Sequence, residues 1–300
     1  MRMISGLMAL SAGALVAACA SVSGPAPVDV VYVDPVTIDE AYPPSIVELN
    51  FGSHGKRLNG IAYLADGPGP HPTVILLHGY PGNEKNLDIA QALRRDGFNV
   101  FFFHYRGAWG SEGEFSFTHV IEDVASAADY LRANADEYRT DPDKLILIGH
   151  SMGGFAALEA GARDEAIQCV AGLAPANFGA IAGMFEANPD GAAGFASYSD
   201  SLQMLSGLTG EKAVSEILGN REAFDVALLA PKLAGKSVLL VAGDKDTSVP
   251  PDLIHGPLVE AYEAQPGLDL EAVILSGDHS FSWSRIALTD VVLDWVDDCR

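Results

Sequence analysis

Cysteine is scarce. Three in 300 residues are too few and too far apart for a disulfide framework, and none has the paired spacing of a metal site. Positive charge is scarce too: 18 Lys and Arg stand against 40 Asp and Glu, a formal net charge of -22. A surface of that sign repels a phosphate backbone, which argues against nucleic acid as a partner. It also disfavours strongly anionic substrates. No apolar run reaches the roughly 20 residues that a membrane-spanning helix needs. What the chain does have is 48% apolar content, enough for a sizeable core. From about residue 46, strand-like and helix-like segments alternate evenly, which favours one large α/β domain over two small ones.

The N-terminus is excluded from the fold as a targeting segment. Arg2 supplies a positive start, and an apolar, small-residue run extends from Ile4 to Ala18. It ends in Val16-Ala17-Ala18-Cys19, which resembles a bacterial lipoprotein signal. The resemblance implies cleavage before Cys19, a diacylglyceryl group on its sulfur and an acyl chain on the new amine. Two or more chains suffice for stable anchoring. The expected location is therefore outside the cytoplasm, on a membrane facing the periplasm or the cell surface. An ordinary secretory leader is the alternative. Residues 19–44 hold Pro25, Pro27, Pro35, Pro43 and Pro44 among small residues and read as a tether, or as a strand-poor arm, between membrane and domain. Cys169 opens an apolar run and is expected to be a buried small hydrophobe.

The chain is organised around Lys144-Leu-Ile-Leu-Ile-Gly149-His150-Ser151-Met152-Gly153-Gly154. Leu145 to Ile148 reads as a buried strand. Phe155 onward is rich in helix formers. Between them, Gly149-His150-Ser151-Met152-Gly153 fits Gly-x-Ser-x-Gly, in which the serine occupies a strained turn from strand to helix. A Gly-rich turn with a merely solvated serine would have the same spelling.

This motif, His78-Gly79 after an apolar strand, and a late Asp and His resemble the α/β-hydrolase family, from about Ile46 to the C-terminus. Within it, residues 78–118 are similar to prolyl-oligopeptidase-like and related serine hydrolases. The resemblance implies a mostly parallel eight-stranded sheet flanked by helices, in a domain of residues 45–300. It also implies a helical cap at about 177–231, after the sixth strand. It makes Ser151 the nucleophile and the amides of Tyr80 and Met152 the oxyanion donors. The acid lies in a Gly-x-x-Asp turn followed by an apolar residue and Pro, which selects Asp246 over the runner-up Asp244. His279 is the only histidine beyond Asp246 at the C-terminal end of a strand. The order Ser151, Asp246, His279 is the one this fold uses.

Other polar residues read as structural. His78 is expected to bond its own loop, and His104 and Arg106 to support the loop that resembles the family's Asp-x-Arg-Gly-x-Gly-x-Ser; here His104 replaces the usual Asp. Trp109 is placed at the pocket mouth and His119 just before a helix from Val120. His54, His71 and His255 are expected in solvated loops.

A serine hydroxyl needs a base within hydrogen-bond reach. His279 would take the Ser151 proton and return it to the leaving group, while Asp246 holds the imidazole tautomer. The expected reaction is acyl transfer to water, without cofactor or metal. A small ester is the first substrate choice and a short peptide or aminoacyl amide the second. A non-catalytic binding module on the same scaffold is the reading from another class.

Overall fold

The structure, a computed structural model, describes residues 29–300. The leader and Cys19 lie outside the described residues. The strands are β1 (Ser45–Ser53), β2 (Lys56–Leu64), β3 (His71–Leu77), β4 (Asn99–Phe103), β5 (Thr140–His150), β6 (Cys169–Leu173), β7 (Ser237–Gly243) and β8 (Asp269–Leu275). They form one sheet in the order β1-β2-β4-β3-β5-β6-β7-β8. The pairs β1·β2 and β2·β4 are antiparallel, and every later pair is parallel.

The period-two side-chain alternation of a strand sorts the central strands onto two cores. Ile75, Leu77, Phe101, Phe103, Leu145 and Leu147 face one layer, and Val74, Leu76, Val100, Phe102, Ile146 and Ile148 face the other. Strands covered on both faces read as continuous apolar runs. The first layer is closed by α2 (Phe117–Ala133), the short α3 (Ala135–Tyr138), α4 (Met152–Gly161) and α9 (His255–Glu263), the second by α1 (Leu87–Arg95) and α10 (Arg285–Asp297). No helix of the described residues is long and apolar enough to cross a membrane.

Between β6 and β7 the chain forms α5 (Phe178–Ala187), α6 (Pro189–Asp200) and α7 (Gly210–Gly219), the expected helical cap, followed by the short α8 (Ala230–Leu233). Glycine has a specific use here. A Cβ on Gly210 would sit 2.1 Å from the Ala196 carbonyl oxygen, so α6 and α7 can approach only without one. The cap is tied to the core at the start of α2. There the Glu216 carboxylate accepts from the amides of Phe117 at 3.0 Å and Thr118 at 2.8 Å. With Ser116 accepting from His119 N at 3.0 Å, these bonds start α2 three residues before the expected Val120.

Several expectations are corrected. Cys169 is not a free thiol: it forms a disulfide with Cys299, 130 residues away. α10 returns the chain end beneath β6, a long-range approach that spacing does not reveal. His71 belongs to β3, with ring nitrogens 3.1 Å from the Gly97 carbonyl oxygen and 3.2 Å from that of Gly67. His255 is buried at the start of α9. His119 lies inside the first turn of α2, its Nδ1 2.8 Å from the Glu114 carbonyl oxygen. The described part of the Pro-rich segment follows the domain surface, where Arg95 donates through Nε to the Val30 carbonyl oxygen at 2.6 Å.

Candidate active site

β5 ends at His150 and α4 begins at Met152, leaving Ser151 alone to make the turn, at φ 56° and ψ -118°. A non-glycine residue rarely adopts positive φ, and surrounding packing must hold it there. The flanking glycines permit this. A Cβ on Gly149 would lie 2.0 Å from the Gly153 carbonyl oxygen, and one on Gly153 would lie 2.2 Å from that of Leu77.

Ser151 Oγ is 2.9 Å from Nε2 of His279, whose Nδ1 is 2.6 Å from Oδ2 of Asp246. A carboxylate only accepts, so Nδ1 carries the proton. Nε2 then presents a lone pair, and the Ser151 hydroxyl donates to it. This is the tautomer a general base requires. Asp246 is itself held, because Oδ1 accepts from the amides of Ser248 and Val249, each at 2.8 Å. Its side chain is 1% exposed.

Asp244 has a different place. It accepts from Gly277 N at 3.0 Å and pairs with Lys245 at 2.9 Å, bonding the two turns together. Asp278 accepts from Ser282 N at 2.7 Å and from Ser282 Oγ at 2.8 Å, whereas the His279 ring nitrogens bond Asp246 and Ser151.

Gly79 packs directly on Ser151: a Cβ there would lie 3.0 Å from the serine Cβ. The next amide is that of Tyr80. Neither the Tyr80 nor the Met152 N–H has a hydrogen-bond partner among the described residues. Both donors are thus free: Met152 follows Ser151 in the chain, and Tyr80 follows Gly79, which packs against Ser151.

His78 is buried, its Nδ1–H donating to the Gly79 carbonyl oxygen at 2.8 Å. Its Nε2 is 3.2 Å from His104 Nδ1. Burial, then the neighbouring His104, push its pKa down to about 3, so the ring stays neutral and braces the loop. His104 is pushed down to about 4, by burial and then Lys85. Arg106 is fixed by the buried Asp123, with Nε 2.6 Å from Oδ1. Trp109 donates its indole N–H to the Pro81 carbonyl oxygen at 2.7 Å, so it anchors the Tyr80 loop as well.

The cap reaches this loop. The Tyr80 ring lies 5.8 Å from that of Phe195 and 6.1 Å from that of Tyr198, with Phe115 and Phe117 beneath at 5.7 and 5.6 Å. Sequence reasoning missed two contacts. One joins Tyr80 to Ser199; the other joins His150, the unnamed "x" before the serine, to the His279 main chain. Neither leaves a spacing signal, since each pairs positions more than a hundred residues apart.

Strand order, the turn at Ser151 and the convergence of loops at the C-terminal ends of the parallel strands define the α/β-hydrolase fold. Residues 68–196 match the family model described as serine aminopeptidase, S33. Protein YfhR of Salmonella typhimurium is 39% identical over 89 residues, 29% of this chain and 30% of that protein. Esterase EstD of Thermotoga maritima is 29% identical over 147 residues, covering 45% of this chain and 32% of the esterase. The chain thus spans about a third of the length of these two relatives. Among solved structures, Est1E from Butyrivibrio proteoclasticus superposes with a TM-score of 0.64 at 20% identity, covering 84% of this chain and 98% of Est1E. That likeness concerns the fold alone.

Proposed function

We propose that this α/β hydrolase is a serine hydrolase that cleaves carboxylic esters through an acyl-enzyme. The observation that carries this reading is the unbroken relay from Ser151 Oγ through His279 to Asp246, at 2.9 and 2.6 Å. Ser151 attacks the ester carbonyl as its proton passes to His279 Nε2, and Asp246 stabilises the imidazolium. The free amides of Tyr80 and Met152 receive the oxyanion. Removing one such donor costs about 3–4 kcal/mol of transition-state stabilisation where this has been tested. His279 then protonates the leaving alkoxide. Water, deprotonated by the same histidine, attacks the acyl group, and collapse of that intermediate returns the proton to Ser151.

A second reading, hydrolysis of a short peptide or aminoacyl amide, is favoured by the family model's description as a serine aminopeptidase. The esterase relatives favour the first. The separating experiment treats wild-type protein and Ser151→Ala with a fluorophosphonate, then compares turnover of esters and aminoacyl amides. Labelling of the wild type alone, with esters turned over faster, is expected. Faster amide turnover would select the peptidase, and an unlabelled, inactive wild type would leave a binding module.

We infer further that the chain is exported and anchored through a lipidated Cys19. The Cys169–Cys299 disulfide supports export, because such bonds persist in oxidising compartments. Cys19→Ser should move the protein from the membrane to the soluble fraction. An intact wild-type mass without acyl chains would refute the anchor.

A further inference from the structure

The loop that carries His279 lies between β8 and α10 and has no regular structure of its own. A general base must nevertheless be held to a fraction of an ångström. Two consecutive carbonyl groups of this loop are gripped from outside it. The His279 carbonyl oxygen is 2.7 Å from Nε2 of His150. The Ser280 carbonyl oxygen accepts from Nη1 of Arg285 at 3.1 Å. Arg285 is anchored in turn by Asp88, with Nε 2.9 Å from Oδ2, and by Asn86 Oδ1 at 3.0 Å from Nη1.

His150 is the more informative of the two. A carbonyl only accepts, so Nε2 carries the His150 proton and Nδ1 is bare. That Nδ1 is buried with no partner among the described residues, and a Cβ on Gly79 would come within 3.2 Å of it. The ring therefore sits between the loop bearing Tyr80 and the loop bearing His279. It is 4% exposed and 4.8 Å from the His279 ring. Burial, then the proximity of His279, push its pKa down to about 3. The ring can therefore keep one tautomer while its neighbour gains and loses a proton. Its backbone is continuous with that of Ser151. Any movement of the nucleophile is thus transmitted through one hydrogen bond to the main chain of the base.

We propose that His150 is a positioning residue that sets the Ser151–His279 distance by donating Nε2–H to the His279 carbonyl group. The proposal rests on the reading of Ser151 and His279 as nucleophile and base, and extends it to a residue that touches no reacting atom.

The test compares His150→Phe, which keeps a ring but has no donor, with His150→Gln, whose side-chain amide places an N–H near the Nε2 position. The rate of fluorophosphonate labelling of Ser151, and kcat and KM for an activated ester, are measured on folded protein. His150→Phe should lower kcat and the labelling rate by about 10- to 100-fold, the scale of a misplacement near 1 Å, with KM little changed. His150→Gln should recover most of the loss. Wild-type labelling by His150→Phe, or equal impairment of both variants, overturns the proposal. Should His150→Phe fail to fold, the flexible apolar variant His150→Met is read in the same way. Ser151→Ala is run in parallel. Turnover persisting there overturns the serine-hydrolase reading itself. A silent Ser151→Ala beside a fully active His150→Phe overturns only the positioning role.

Discussion

The Tyr80 hydroxyl donates to Ser199 Oγ at 2.8 Å, and Ser199 Oγ donates to the Phe195 carbonyl oxygen at 2.8 Å. The residue that follows Gly79, which packs against Ser151, is thus tied by its side chain to the cap helix α6. Burial pushes the Tyr80 phenol up to about 12, so it remains a donor throughout the neutral range. Tyr80→Phe should lose about 1 kcal/mol of stability, the usual net value of a hydrogen bond. Tyr80→Phe/Ser199→Ala should lose less than the sum of the two single variants, because both remove the same bond. Denaturant melts of the four proteins check this; strict additivity would argue that the contact contributes nothing.

Asp246 and Asp244 are two residues apart but bond different partners. Asp246→Asn keeps a hydrogen bond yet favours the wrong imidazole tautomer, an effect of about 10⁴ in the serine-protease template. Asp244→Asn should lower activity less than about tenfold, since it disturbs only a turn. Ester turnover by both variants decides the assignment. A crippled Asp244→Asn beside a near-normal Asp246→Asn would reverse it.

His78 and His150 make stability sensitive to acid. Each has its folded-state pKa pushed from 6.5 to about 3 by burial first. Above pH 6.5 both folded and unfolded chains are neutral at these rings, and their contribution is fully present. As pH falls below 6.5 the unfolded chain binds protons that the folded chain refuses, so stability is lost. The slope is about 1.4 kcal/mol per pH unit for each ring, down towards pH 3. Urea melts between about pH 4 and 7 should show this loss. In His78→Gln the slope should fall by roughly half of the two-ring contribution, and an unchanged slope would refute the assignment.

The Cys169–Cys299 bond joins the first residue of β6 to the chain end. Cys299→Ser should cost about 2–5 kcal/mol, the range seen when native disulfides are removed. The wild type should lose a comparable amount in reductant, whereas the variant should not respond to it. Thermal melts with and without reductant test both arms.

Arg106 pairs with the buried Asp123, which also accepts from the Arg106 amide at 2.7 Å. Arg106→Met would leave that carboxylate unpaired, which typically costs about 3–5 kcal/mol. Asp123→Asn/Arg106→Met should recover part of the loss. No recovery would show that the guanidinium acts through packing instead.

The alternation of strand-like and helix-like segments and the turn at Ser151 were legible in the residues themselves, while the count of eight strands and the choice of Asp246 and His279 came through the family resemblance. The alternation and the turn depend on local rules: apolar runs for doubly covered central strands, and glycines where no Cβ fits. Residues 285–297 carried no such assignment, because the N-cap residue Ser284 makes no side-chain cap hydrogen bond that would mark the start of α10. The disulfide depends on α10, so it was invisible as well. The same holds for the Tyr80–Ser199 bond and for the grip of His150 on the His279 main chain. Local pattern determined which elements form and which residue types stand at their ends. Only the folding of cap, elbow and C-terminal helix over one sheet decided which of those ends meet, because hydrogen-bond and disulfide geometry is satisfied between atoms close in space, whatever their separation along the chain.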